Sequence, residues 1–273
     1  MSIYFVDGQY VPAEKAVIPV DDLSIMRGVG VFDFMRTFNG KPHFLKEHVA
    51  RLENSAHEIG LELPWSQEEI IAIVNTTLEK NQLPEANIRI VITGGSSPDF
   101  ITPQGEPRLL VLVTPITPPP PVWYEKGVKI ITVCSRRNLP GAKSIDYIRA
   151  TMALREAKKA GAVEAIYLDR ERFILEGTTS NIFAVINGTL TTPGHNILPG
   201  ITRKAVLGIS QSLMECRIDK IALNTLYQAE EVFITGSGKG LVPVVQVDDH
   251  TISSGQPGPI TRRLMEALGR HKK

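Results

Sequence analysis

Four consecutive prolines at 118–121 limit how this chain can fold more than any other stretch of it. Each proline holds φ near about −65° and lacks an N–H, so the run favours a polyproline II segment that joins neither a helix nor a central strand. A boundary there predicts an N-terminal domain over 1–117, a proline-rich linker over 118–125 and a second domain over 126–273. A chain of 273 residues with 42% hydrophobic content can give each part its own core.

Before the prolines, residues 3–11 read as a hairpin turning at Asp7-Gly8, and VFDFMRTF after Gly30 alternates as a strand does. The pattern predicts a helix over 44–59, where Leu45, Val49, Leu52 and Ala56 share a face, and another over 66–80. Strands are expected over 88–93 and 108–113. After the prolines, GVKIITV and AIYL read as strands flanking a helix over 146–161, followed by paired strands near Phe173 and Phe183 and a helix over 202–214. Strands over 218–223, 232–235 and 242–247 and a closing helix over 260–270 complete an α/β (α+β) chain. Asn187-Gly188-Thr189 has the form of a glycosylation sequon but reads as a hairpin turn.

A net charge of +1 offers no field to draw in nucleic acid or a membrane surface. Cys134 and Cys216 make neither a disulfide framework nor a metal-spaced cluster, and His43 and His48, five apart, do not share a helix face, so no metal site is expected. The start, MSIYFVDGQYVPAEKA, lacks a basic region and a long apolar run, and nowhere do about 18 apolar residues follow one another. The expectation is a cytoplasmic protein. GSGKG at 236–240 lacks phosphate-loop spacing, because Lys239 is followed by Gly240 rather than Ser or Thr, and Lys239 reads as a surface charge.

The chemistry concentrates in residues 138–203. Lys143 lies in a short Gly-containing loop, Glu176 at a strand end, TTSNIF leads into a strand, and Gly200-Ile201-Thr202 opens a helix. Pyridoxal phosphate asks for this set. Its aldehyde needs a partly deprotonated amine, and burial or nearby cations readily move a lysine pKa down. A buried carboxylate such as Glu176 would hold the proton on the pyridine nitrogen that makes the ring an electron sink. The phosphate needs N–H groups at a helix N-terminus, which Ile201 and Thr202 supply, Thr202 adding a hydroxyl. An arginine elsewhere would complete the cradle through its bidentate fork.

These residues, with VDGQYVP, RGVGVFDFMRTFNGKPHFLKEHVARLENSA, EGTTSNIF, LPGITR and FITGSGKGLVPV in order over nearly the whole chain, resemble the class IV (fold type IV) pyridoxal-phosphate aminotransferases. That family includes branched-chain and D-amino-acid aminotransferases and aminodeoxychorismate lyase. The resemblance implies a small N-terminal and a larger C-terminal α/β domain, the cofactor in the cleft between them, and a homodimer. It implies that Arg51 of HVARL, which the helix pattern alone leaves solvated, binds the cofactor phosphate together with Ser237, Gly200, Ile201 and Thr202. It sets Tyr147 at the phenolic oxygen and Asn181 beside the pyridine ring. The reaction it implies is a ping-pong double displacement through a Lys143 Schiff base, between an amino acid and a 2-oxo acid such as 2-oxoglutarate or pyruvate.

Substrate choice is where the sequence departs from the commoner family patterns. Arg27 stands before the GxG where most relatives carry an aromatic residue. TGGSSPD replaces the RxH of most D-amino-acid enzymes, and Asn87-Ile88-Arg89 keeps the arginine but not the tyrosine of the branched-chain Tyr-x-Arg. Arg27 and Arg89 could therefore bind substrate carboxylates, Arg27 in the neighbouring subunit's site, as in a less usual subgroup of D-amino-acid aminotransferases. The plain alternative is an interface salt bridge for Arg27 and cross-strand pairing for Arg89. D-amino acids are the favoured substrates, with a branched-chain L-amino-acid aminotransferase and aminodeoxychorismate lyase as alternatives.

Overall fold

The computed structural model describes residues 2–270. The chain divides into two compact units, one running to Thr117 and taking in Gly141–Asp146, the other comprising Pro118–Pro140 and the chain from Tyr147 onward. The segment that holds Lys143 is therefore part of the first unit.

That unit opens with β1 (Ile3–Val6) and β2 (Gln9–Pro12), joined through Asp7 and Gly8, both at positive φ as a two-residue hairpin requires. α1 (Leu23–Arg27) starts at Asp22, whose side chain accepts from Ser24 N, and stops at Gly28 in the left-handed conformation. Next come β3 (Gly30–Phe38), β4 (Lys41–Pro42), α2 (Leu45–Glu58), α3 (Gln67–Asn81), β5 (Ala86–Thr93) and β6 (Arg108–Pro115). A Ser66–Glu69 capping box fixes the start of α3. Among the described residues the strands form a six-stranded antiparallel sheet in the order β2-β1-β6-β5-β3-β4. One face carries Val31, Met35, Ile88 and Ile90 against Val49 and Leu52 of α2 and Ile70 and Val74 of α3. The two-residue period of β3 turns Phe32, Phe34 and Arg36 to the other face.

The second unit contains α4 (Val122–Glu125), β7 (Val128–Cys134), α5 (Ile148–Lys159), β8 (Glu164–Leu168), β9 (Ile174–Gly177), β10 (Asn181–Ile186) and β11 (Thr189–Thr192). It continues through α6 (Ile201–Ser210), β12 (Cys216–Ile218), α7 (Leu223–Tyr227), β13 (Glu231–Gly236), β14 (Gly240–Val247), β15 (His250–Thr251) and α8 (Pro259–Arg270). The sheet runs β12-β11-β10-β13-β14-β7-β8-β9, with β15 on β14. Ile166, Ile182, Ile234 and Val242 fill one face. On the other, Phe183 and Phe233 stack 4.9 Å apart in a cluster with Val206 of α6 and Leu264 of α8.

Some expectations need correction. The strands near Phe173 and Phe183 are not ladder partners: β9 pairs with β8, and β10 with β11 and β13, while the hydroxyls of the 178–180 link between them turn onto Glu164. The strand expected over 218–223 ends at Ile218, and α7 begins at Leu223, with Leu223 and Leu226 buried at helical spacing. The helix expected from 146 begins at Ile148, since 141–146 runs beside β3 through the bridge Val31–Ser144. Pro121 has helical φ −54° and ψ −33° and caps α4, the helix end at which a missing N–H is tolerated.

Candidate active site

In the first unit the Lys143 loop behaves as a short added strand. Lys143 O accepts from Phe32 N at 2.9 Å, and Ile145 N donates to Gly30 O at 3.0 Å. The approach is close: a Cβ on Gly30 would lie 2.8 Å from Ile92 O and 2.9 Å from Ile145 Cδ1. From the helix side, Ser55 Oγ accepts from Lys143 N at 3.0 Å and donates to Arg51 O at 2.7 Å. The Lys143 backbone is thus tied to both β3 and α2, while its Nζ lies 4.6 Å from the centre of the Phe32 ring.

Arg51 is not a solvated helix arginine. Asp33, completely buried on the inward face of β3, accepts from Arg51 Nε and Nη2, each at 2.8 Å, and lies 2.6 Å from His48 Nδ1. Burial alone would push the Asp33 carboxyl up, but the His48 hydrogen bond and the Arg51 guanidinium bring it well below the usual carboxylate range. The fork fixes the plane of the guanidinium. His48 and Arg51 are one helical turn apart on α2, which is why both reach one carboxylate.

Arg89 projects from β5 on the exposed side, its Cζ 5.6 Å from the Phe32 ring centre and 5.8 Å from that of Phe34. It engages aromatic faces, not a cross-strand acid. Arg27 is exposed at the end of α1, Nη1 donating to Met26 O at 2.8 Å. Phe32 thus receives both the Lys143 amine and the Arg89 guanidinium.

In the second unit Glu176 is buried on β9. Its Oε2 accepts from Leu198 N at 3.1 Å, and its Oε1 lies 3.0 Å from Arg137 Nε. Tyr147, just before α5, has its ring centre 5.8 Å from Arg137 Cζ. Burial works against the Arg137 charge, but Glu176 and Tyr147 outweigh it and raise the pKa above the ordinary arginine value. Asn181 Nδ2 donates to Leu198 O at 3.0 Å, so Glu176 and Asn181 hold the two sides of one peptide residue. Two residues later Gly200 precedes α6; a Cβ there would overlap Asn181 Oδ1, so the close approach requires glycine.

Pyridoxal phosphate fits this donor set. No side chain caps α6 at Gly200, leaving the N–H groups of Ile201 and Thr202 at the helix start. Thr235 Oγ1 is buried and has no hydrogen-bond partner among the described residues. Thr235 stands opposite Asn181 in the β10–β13 ladder, and cross-strand partners share a face. Ser237 follows in the turn into β14.

The profile of the class IV amino-transferases matches residues 30–247. The chain belongs to the class IV aminotransferases. Like the rest of that family it is a pyridoxal-phosphate-dependent enzyme. Among individual class IV relatives, a putative branched-chain-amino-acid aminotransferase of Methanocaldococcus jannaschii is 37% identical over 97% of this chain and 94% of its own. A D-alanine aminotransferase of Staphylococcus epidermidis is 32% identical over 99% and 98%. A branched-chain amino acid aminotransferase from T.th., solved with pyridoxamine 5'-phosphate, superposes with a TM-score of 0.94 at 30% identity, over 99% of this chain and 94% of the other.

Several residues of this aminotransferase escaped the sequence reading. Asp33 carried a signal, a charge in phase with the apolar Val31 and Met35 of a strand; Ser55 and Arg137 carried none. Lys239 is corrected outright. Its Nζ lies 3.0 Å from the fully buried Glu164 Oε2, so it is a partly buried ion-pair partner, not a surface charge.

Proposed function

We propose that this enzyme is a transaminase for D-amino acids, passing the amino group to a 2-oxo acid such as 2-oxoglutarate or pyruvate, with Lys143 as its catalytic residue. The observation that carries the substrate class is the neighbourhood of Phe32, which meets the Lys143 amine on one hand and the Arg89 guanidinium on the other. Neither Arg89 nor Arg27 has a carboxylate partner among the described residues, so both remain available for carboxylates of a substrate.

When bound, pyridoxal phosphate supplies the carbonyl that carries the amino group and the ring that accepts electrons from Cα. Lys143 Nζ would take the proton from the substrate Cα as general base and deliver it as general acid to the cofactor's C4′, the second half-reaction moving it back in reverse. Glu176, beside the Arg137 guanidinium and accepting from Leu198 N, would hold a proton at the pyridine nitrogen. Tyr147 donates to the phenolic oxygen and Asn181 lies beside the ring. The N–H groups at Gly200, Ile201 and Thr202, the Thr202 and Ser237 hydroxyls and Arg51 take the phosphate. Arg89 and Arg27 orient the substrate by its carboxylates.

A second reading, a branched-chain L-amino-acid aminotransferase, is favoured by the Methanocaldococcus relative and by Arg89 being the retained half of Tyr-x-Arg. Steady-state transamination to 2-oxoglutarate from D-alanine, D-glutamate and L-leucine separates the two. The proposal expects turnover with the D-amino acids and, in Arg89→Gln, a KM for them raised about tenfold or more with a smaller change in kcat. Turnover of L-leucine alone gives the site to the branched-chain reading, and bound cofactor with no transfer from any of the three leaves the lyase.

We also take the working form to be a homodimer. Val17, Val20, Ile25 and Met26, in the segment leading to β3, are 76%, 80%, 56% and 40% exposed, an apolar run that a second subunit would cover. Analytical ultracentrifugation tests this, with a monomer at working concentration as the contrary result.

A further inference from the structure

Glu164 and Lys239 stand outside the contacts assigned above, yet they join the two turns that carry several of them. Glu164 opens β8 and is completely buried. Its Oε1 accepts from Thr178 Oγ1, and its Oε2 accepts from Thr179 Oγ1 at 2.6 Å, Ser180 Oγ at 2.9 Å and Lys239 Nζ at 3.0 Å. Lys239 Nζ also donates to Thr179 Oγ1 at 2.9 Å. All three hydroxyls of the 178–180 link therefore converge on one carboxylate, and a single ammonium from the 236–240 turn neutralises it.

The Lys239 backbone is held as firmly. Its N–H donates to Gly236 O at 3.1 Å, and its carbonyl accepts from Tyr124 Oη at 2.8 Å. The two turns touch, since a Cβ on Gly236 would lie 3.2 Å from Thr179 O. The 178–180 link lies between Glu176 and Asn181, and the 236–240 turn carries Ser237. Burial alone would favour the neutral Glu164 carboxyl, but Lys239 and the hydroxyls reverse this and lower its pKa, so the pair is ionic. Removing the ammonium would leave a buried anion that must take up a proton or draw water into the link.

We propose that Lys239 is a positioning residue for the cofactor: through Glu164 it locks the 178–180 link to the 236–240 turn and so holds Asn181 and Ser237 in place for the pyridine ring and the phosphate. The inference rests on the reading of Asn181 and Ser237 as cofactor contacts. It assigns a function to the lysine of GSGKG that neither a phosphate loop nor a solvated side chain provides.

The test follows the loss of pyridoxal phosphate from the holoenzyme on dialysis, by absorbance, in the wild type, Lys239→Met, Lys239→Arg, the double variant Glu164→Gln/Lys239→Met and Ser237→Ala, with the melting temperature of each stripped protein alongside. Lys239→Met should release cofactor about tenfold faster, as expected when one member of a buried charge pair is truncated. Lys239→Arg should recover most of that loss. The double variant should fall between Lys239→Met and the wild type, because no unpaired anion remains; should Lys239→Met not fold, faster release from the double variant supports the proposal in its stead. Release at the wild-type rate from Lys239→Met or, where that variant does not fold, from the double variant, while Ser237→Ala accelerates it, overturns the proposal, even if melting temperatures fall. Unchanged release from Ser237→Ala overturns the contact assignment and the inference with it.

Discussion

Arg137 Nε lies 3.0 Å from Glu176 Oε1, and both side chains are nearly shielded from solvent, at 12% and 3% exposure. The carboxylate proposed to hold the pyridine proton is thus set against a guanidinium that Tyr147 also flanks. A buried ion pair of this kind contributes less to stability than to the fixed charge and orientation of its members.

Glu176→Gln should lower kcat by about a hundredfold, a typical loss when a charge-stabilising group is removed from an active site. Arg137→Met should act in the same direction but less, because Leu198 N still donates to Glu176. Combining the two should be little worse than Glu176→Gln alone, since groups acting as one unit are not additive. Single-turnover kinetics with saturating cofactor checks this; independent, multiplying effects would separate Arg137 from the function of Glu176.

Gly200 is a matter of space, not of backbone freedom: its φ of −70° and ψ of 131° suit any residue, but a Cβ would overlap Asn181 Oδ1. Gly200→Ala should force Asn181 off Leu198 O and weaken cofactor binding about tenfold, equivalent to the roughly 1.4 kcal/mol expected for a lost buried hydrogen bond. In an Asn181→Ala background the same substitution should cost little. Fluorescence titration of the stripped enzyme with pyridoxal phosphate measures both.

The Asp33 carboxyl has a folded pKa below its unfolded value, so the stability it contributes is complete above the unfolded pKa of about 4 and is lost as pH falls through the folded value. Asp33→Asn should destabilise the protein by about 3 kcal/mol near neutral pH by leaving Arg51 short of its buried counter-ion. The gap between wild type and variant in urea unfolding should hold from about pH 5 to 8 and narrow below about pH 4. A gap that widens toward acid would contradict the ionic account.

Much of this was legible from one dimension because it rests on local rules. The alternation in β3, the apolar spacing of α2 and the Asp7-Gly8 and Asn187-Gly188 turns depend on neighbours in sequence, and at both turns the two residues take the positive φ their identities suggest. The convergence of Glu176 and Asn181 on Leu198, 22 and 17 residues away, is a long-range fact that no local pattern encodes. So is the contact of Lys239, whose partner lies 75 residues away. A glycine-flanked lysine looks solvated until a buried carboxylate is found beneath it. The Lys143 loop shows the same limit from the other side: it follows the prolines in sequence, yet six residues of it pack with the unit that precedes them.

The most direct test of the account is to find which amine holds the cofactor. Borohydride reduction of the holoenzyme, proteolysis and mass spectrometry should place the pyridoxyl phosphate on the peptide containing Lys143, and Lys143→Ala should bind cofactor without a reducible bond and lack transaminase activity. Label on any other lysine, or full turnover by Lys143→Ala, would contradict the assignment of Lys143 on which the whole mechanism turns.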